Sequence, residues 1–287
     1  HAFSDGLSAG EWEQLQEALG AEYVQRIIRA ERLALDYISI RVPEMLPHYK
    51  RMMEIVHAII AEAFSNKVIS PGKTTTQDVV WWMRQRAHDL GFGTWFHTSV
   101  DVQRQAADLR NITDPVIHRG DVLHCDFGIS AMRLNTDTQH MGYVLRDGET
   151  DVPEGMKKAL TNSNKLQDIL MKNMKQGHTG NQILANTLAD MKKDGIDGTV
   201  YTHPIGEHGH GAGPLIGLWD RQMGVPGRGD VPLLASTWHS VELQATTPVP
   251  EWGGQKVRSA QEEEVEVTKQ GEIRWVQKRQ TAFHVVR

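Results

Sequence analysis

Asp126 and Asp137 stand eleven residues apart, in Leu123-His124-Cys125-Asp126-Phe127-Gly128 and Asn135-Thr136-Asp137-Thr138. Further on come a glycine loop rich in histidine (His203 to Pro214), an isolated glutamate in an apolar run (Glu242) and an acidic strand start, Glu262-Glu263-Glu264. Four carboxylates and one imidazole, set in or beside apolar strand-like segments, are costly to bury unless something neutralises them. A pair of divalent cations would do so, and would also supply a reaction mechanism.

Each piece also has a plainer reading. Asp126 closes an alternating strand, and if Leu134–Tyr143 returns as a hairpin the two aspartates meet across adjacent strands. Alternatively, both are turn residues capping local amides. In His203-Pro204-Ile205-Gly206-Glu207-His208-Gly209-His210-Gly211-Ala212-Gly213-Pro214, three histidines among four glycines suit close approach of backbone to a ligand better than a packed core. Neutral imidazole is a ligand for Mn, Co, Fe or Zn. Glu242, between Val241 and Leu243, could equally be a surface residue of an edge strand. From Glu262 to Thr268 the chain alternates, with Glu262, Glu264 and Glu266 on one face and Glu263, Val265 and Val267 on the other. That pattern alone favours a solvated acidic face, and puts Glu263 rather than Glu262 beside the valines. Cys125, inside an apolar strand, reads as a buried, inert thiol.

The elements that must position these residues follow from periodicity and breakers. The first forty residues read as helix, opened by the capping-box pattern Ser8-x-x-Glu11. Helices are predicted from about Pro43 to Phe64 and from about Thr75 to Leu90, the second stopped by Gly91. A polar stretch, Asp101 to Pro115, precedes strand-like segments at Asp121–Ile129 and Met141–Leu145. Helix resumes from Pro153 to about Met174 and from about Asn181 to Met191, and strand and loop dominate beyond Gly195. The halves resemble each other. Gly72-Lys73-Thr74, a helix, Gly91 and His97 lie beside Gly177-His178-Thr179, a helix, Gly195 and His203. A strand carrying an acid follows in each copy, ending at Asp126 in one and Glu242 in the other. A pseudo-twofold axis relating the copies would bring those acids face to face.

The 287 residues can fill one large α/β domain or two small ones, and 39% hydrophobic with 23% charged content is that of an ordinary globular protein. A net charge of −5 without a basic block argues against nucleic acid as a partner. No apolar run approaches the roughly 20 residues that span a bilayer. One cysteine permits no intrachain disulfide. The chain opens on His1 rather than methionine, so a processed or partial form is expected. The compartment stays open: cytoplasmic, or secreted or periplasmic if a leader was removed.

In the order Asp126, Asp137, His203 with Gly206 and His210, Glu242, then Glu262-Glu263-Glu264-Val265-Glu266-Val267-Thr268, the chain resembles the pita-bread metallopeptidases. These include methionine aminopeptidase, aminopeptidase P and prolidase, and the Xaa-Pro peptidase branch is the nearest in pattern. The resemblance covers roughly Pro43 to Thr268. It implies an α/β (α+β) pita-bread fold, with two pseudo-twofold halves and a curved antiparallel sheet covered by helices. Residues 1–42 would be a helical segment, the remnant of a link to a further N-terminal domain, and 43–287 the catalytic domain. It implies a metal-dependent exopeptidase cleaving an N-terminal or Xaa-Pro-type peptide bond, with two divalent ions (Mn, Co, Fe or Zn), a bridging hydroxide, a peptide substrate and a homodimer. Carried over by position, Asp126 chelates one metal, Asp137 and Glu262 bridge, His203 is the imidazole ligand, and Glu242 is a ligand and proton acceptor. His210 contacts substrate. Glu263 is the alternative to Glu262, and His208 or His210 to His203.

There are departures. Relatives that cleave before proline have a histidine where this chain has Thr199, and another about where it has Leu109; His97 is the candidate substitute for the latter. Other members of the fold cleave a C–N bond in small molecules, act as lyases, or only bind other proteins. Trp219, Trp238 and Trp252 are candidates to line a substrate pocket, or to pack.

Overall fold

The computed structural model describes residues 7–109 and 112–287. Two helices lead, α1 (Ala9–Val24) and α2 (Glu31–Ser39). The expected capping box forms, with the Ser8 hydroxyl accepting from the Glu11 N–H at 3.3 Å. The expectation of helix through the first forty residues fails at 25–30, which is non-helical, and its part on residues 1–6 lies outside the described residues. No residue of α1 is buried.

Helices α3 (Met45–Ala63) and α4 (Thr76–Asp89) form close to their predicted spans. The apolar stripe of α3 buries Met52, Met53, Val56, Ile59 and Ile60, the 3–4 spacing that puts side chains on one helix face. Thr75 and Asp78 cap α4 reciprocally, and Gly91 follows its end with a φ of 82° that a side chain would resist.

Strand β1 (Ser99–Gln103) falls partly in the stretch predicted as merely polar. Its alternation is real, with Val100 and Val102 inward and Ser99, Asp101 and Gln103 on the other face, but five residues at a sheet edge give a weak signal. Next come β2 (Val122–Phe127), the short β3 (Ser130–Ala131) and β4 (Leu134–Asn135), and β5 (Thr138–Val144). The expected hairpin return is therefore split. Leu134 and Asn135 pair with β3 in a separate ribbon, and β5 alone runs back along β2 with Asp126 opposite Gln139.

The second half repeats the plan with α5 (Glu154–Asn173), α6 (Gly180–Lys193) capped by Thr179 and Gln182, β6 (Asp197–Val200), the two-residue β7 (His203–Pro204), β8 (Thr237–Pro248) and β9 (Lys256–Val267). Strands β10 (Ile273–Trp275) and β11 (His284–Val286) add to β9 and β5. The sheet order is β1-β2-β5-β9-β8-β6, so each half contributes three strands in mirrored order, meeting at β5 and β9. One core joins α3 and α4 to β1 and β2, a second joins α5 and α6 to β8 and β9, and a third cluster around Met141, Tyr143, Met156 and Trp252 spans the junction. This matches the sequence repeat, and it makes β2 and β8, with their Asp126 and Glu242, equivalent strands. Cys125 is buried with its thiol unpaired, and burial pushes its pKa up, as expected of an inert thiol.

Candidate metal centre

The pairing of β8 with β9 sets Glu242 directly opposite Glu262, and the one ladder pair between β5 and β9 sets Gln139 opposite Glu262. Side chains of neighbouring strands in register share a face, so Asp126, Gln139, Glu242 and Glu262 gather on one side of the sheet. Asp137 arrives from the bend just before β5, and His203 from β7 beside β8. The imidazole Nε2 of His203 lies 3.1 Å from Glu262 Oε1, 3.6 Å from Glu242 Oε2 and 3.7 Å from Asp137 Oδ2. Asp126, Asp137 and Glu262 form a second group whose ligand-type atoms lie within 4.8 Å of one another. All five residues that the sequence singles out as ligands are thus brought together. Glu262, not Glu263, faces this cluster; Glu263 points to the opposite side of the strand. His208 is exposed and outside it.

The charges are unbalanced as they stand. Burial raises the carboxyl pKa of Asp126 to about 7, and repulsion from Glu262 adds to it. Burial, then the neighbouring carboxylates, push Asp137 and Glu242 well above the usual range. Two buried oxygens, Asp126 Oδ1 and Asp137 Oδ1, have no hydrogen-bond partner. The Nδ1 of His203 lies 3.0 Å from the Pro204 carbonyl, which can only accept, so that nitrogen carries the proton. The other ring nitrogen, Nε2, faces three carboxylates. Divalent ions resolve all three problems, and four carboxylates with one imidazole make a donor set suited to Mn, Co, Fe or Zn.

Residues that the sequence reading missed hold these groups in place. Gln139 donates its amide to Glu242 Oε1 and to Glu262 Oε2, both at 2.7 Å. Its carbonyl oxygen meets His124 Nε2 at 2.9 Å, and His124 Nδ1 meets Asp101 at 2.8 Å. Both ring nitrogens of His124 face acceptors. Burial lowers its pKa, but Asp101 outweighs that and the net shift is upward. Asp101 lines a cavity of about 910 Å³ along β1, together with His97, Arg104, Leu109 and Arg258. The chain Asp101–His124–Gln139 therefore links the carboxylates to that cavity. Ser240 donates to Glu262 at 2.5 Å, and the Asp137 N–H donates to Glu264 at 2.6 Å. A polar residue in a strand carries no ligand signature, so only the register could reveal Gln139.

The glycine loop closes over the centre. A Cβ on Gly209 would overlap the Trp95 ring, at 1.9 Å, so only glycine permits the contact. His210 is exposed, yet its ring packs against those of His203, Trp95 and Tyr201 at 4.5, 5.3 and 6.0 Å between centroids. Its nitrogen comes within 4.8 Å of Asp137 and His203 atoms. Partial burial and the nearby His203 lower its pKa to about 4. His97 is exposed just before β1, 3.5 Å from Arg84. Trp238 and Trp252 are buried in packing, with Trp238 stacked on Tyr49, whereas Trp219 is half exposed, edge-on to Tyr201.

Residues 47–269 match the sequence model of Metallopeptidase family M24. The chain belongs to this family. Its M24 fold, the pita-bread arrangement, recurs in solved structures at low identity. An X-Pro aminopeptidase from Thermotoga maritima is 21% identical with a TM-score of 0.69, over 98% of this chain and 73% of that one. A Xaa-Pro dipeptidase from Bacillus anthracis is 20% identical with a TM-score of 0.66, over 99% and 73%. A methionine aminopeptidase from Thermotoga maritima is 21% identical with a TM-score of 0.60, over 83% and 98%. No curated protein matches the M24 chain. Among the described residues no helix is long and apolar enough to cross a membrane.

Proposed function

We propose that this M24 protein is a dinuclear metal-dependent exopeptidase that removes an N-terminal residue, or cleaves an Xaa-Pro-type bond, from a peptide. The observation that carries the reading is the imidazole Nε2 of His203 held 3.1–3.7 Å from three carboxylates, beside buried aspartate oxygens that lack partners. Asp126 would chelate one ion, Asp137 and Glu262 would bridge the pair, and His203 and Glu242 would complete the set. When bound, two divalent ions would activate water near neutral pH and polarise the scissile carbonyl. Glu242 would accept the water's proton and pass it to the leaving amine. His210, neutral at pH 7, would donate a hydrogen bond to the carbonyl oxygen as negative charge develops there. His97 would meet the substrate from the β1 cavity.

The structural neighbours named for Xaa-Pro cleavage support the peptide class, and the family supports a metal-dependent peptidase. A homodimer, and a helical segment 1–42 ahead of a catalytic domain 43–287, belong to the same proposal. The family match beginning at residue 47 and the unburied α1 agree with that division. The test is metal-stripped protein given Mn²⁺, Co²⁺, Fe²⁺ or Zn²⁺ in turn, assayed on a panel of N-terminal residues with Xaa-Pro peptides included. Guanidino and sulfonium compounds serve as the small-molecule arm. Peptide turnover that needs added metal and is abolished in Glu242→Ala is expected. Full peptide activity in Glu242→Ala overturns the proton-transfer assignment, and turnover confined to the small molecules overturns the peptidase.

A further inference from the structure

On the opposite side of the same strand, a second set of metal-type donors converges, one residue away from Glu262. Glu263, on β9, is 1% exposed and holds one imidazole on each oxygen: His57 Nε2, from α3, at 2.8 Å from Oε2, and His140 Nε2, from β5, at 2.6 Å from Oε1. The three ligand atoms lie within 4.8 Å of one another. A third ring, His284 from β11, stands behind, its Nε2 3.0 Å from His140 Nδ1. Four elements, α3, β5, β9 and β11, thus place two imidazoles on one buried carboxylate and a third behind them. Two amides or hydroxyls would satisfy that carboxylate equally well as donors. Nitrogen lone pairs are what imidazole adds.

We propose that His57, His140 and Glu263 form a separate mononuclear site for a zinc-type divalent cation, with His284 orienting His140 from outside. Two nitrogens and a carboxylate suit Zn²⁺ better than the oxygen-rich front cluster does. Zinc bonds of about 2.0–2.2 Å place tetrahedral donors about 3.3 Å apart, so each nitrogen–oxygen pair opens by about half an ångström on binding. No proton need leave the cluster. His57 and His140 each shift the hydrogen from Nε2 to Nδ1, and His284 moves its own to Nδ1 so that its Nε2 accepts from His140, the ring-N–H partnership that fixes the orientation of metal-bound histidines. His57, with 11% of its side chain exposed, provides the route in and the side on which a water completes the coordination. Burial lowers the pKa values of His140 and His284, which leaves both rings neutral and competent to bind.

This site is independent of the front centre, and the experiment keeps the two apart. Full-length wild type, Asp137→Ala/Glu242→Ala, and that double variant with His57→Ala added are loaded with Zn²⁺, desalted and analysed for zinc by mass spectrometry. Circular dichroism checks the fold of each. The double variant is expected to retain about one zinc per chain and the triple variant none, with His57→Gln as a milder version of the third change. Cobalt-loaded double variant should show a visible absorption that His57→Gln removes. A folded double variant without zinc means a hydrogen-bonded knot only, and overturns the proposal. Zinc surviving in the triple variant places the ion elsewhere and overturns it too. Zinc in the double variant, with no additional zinc in wild type, would instead sink the dinuclear reading and leave this one standing.

Discussion

The two faces of β9 hold the same kinds of side chain in opposite states. Glu262 and Glu263 are adjacent, each 1% exposed, and each meets histidine. On the front, His203 stands 3.1–3.7 Å from its carboxylates and aspartate oxygens lack partners. On the back, His57 and His140 are within 2.8 Å of Glu263, and each carboxylate oxygen has its donor. Among the front carboxylates His203 reaches only Glu262 within hydrogen-bonding distance, and the partnerless Asp126 and Asp137 oxygens are groups that cations would satisfy. The back cluster is satisfied without one, so an ion there must displace good hydrogen bonds and is held less tightly. Folding thus builds one site that needs its ions and one that can do without.

Several substitutions sharpen or break that contrast. Gln139→Leu removes the amide shared by Glu242 and Glu262, and losing such a supporting contact lowers metal affinity or turnover by about 10–100-fold. Metal titration and kcat measure this. An unchanged affinity would mean that the strand ladder alone orients the pair.

Stripping the ions exposes the front repulsion as a pH dependence. Asp126 titrates at about 7 when folded, and Asp137 and Glu242 shift in the same direction, against about 4 in an unfolded chain. The folded form therefore binds more protons between those values, and stability falls as pH rises from about 4 through 7. Metal-free protein should have a higher Tm at pH 5 than at pH 8, and saturating Mn²⁺ should flatten or reverse that slope. The back face gives the next effect. His57→Ala leaves a buried oxygen of Glu263 without its donor and should cost about 1–3 kcal/mol in urea unfolding of zinc-free protein. The smallest is Glu264→Gln. Burial pushes that carboxyl well above its usual range, toward the neutral form, so a neutral amide should change stability by about 1 kcal/mol or less.

Much of this was legible in the sequence, and the failures have causes. The stripe Met52–Ile60, the Ser8 capping box and the repeat of glycine, helix, glycine and acid were readable because each is local or recurs. The convergence of Asp126, Asp137, His203, Glu242 and Glu262 followed from the resemblance and is realised in space. Periodicity misread Glu262–Thr268, because alternation assumes one wet side and β9 is covered on both at Glu262, Glu263 and Glu264. Gln139, His124 and Asp101 escaped because their meaning lies in cross-strand register, which one strand's sequence does not contain. His57, His140 and His284 escaped for the same reason, being far apart in the chain.

The junction of the halves has a consequence for how the protein comes into being. Asp126 and Asp137 lie in the first half and His203, Glu242 and Glu262 in the second, and between the central strands β5 and β9 one ladder pair, Gln139 with Glu262, bridges the two sets. Neither half by itself contains the full set of donors. During synthesis the amino-terminal half leaves the ribosome with two acids and nothing to hold. The full donor set exists only once β9 has emerged and closed against β5.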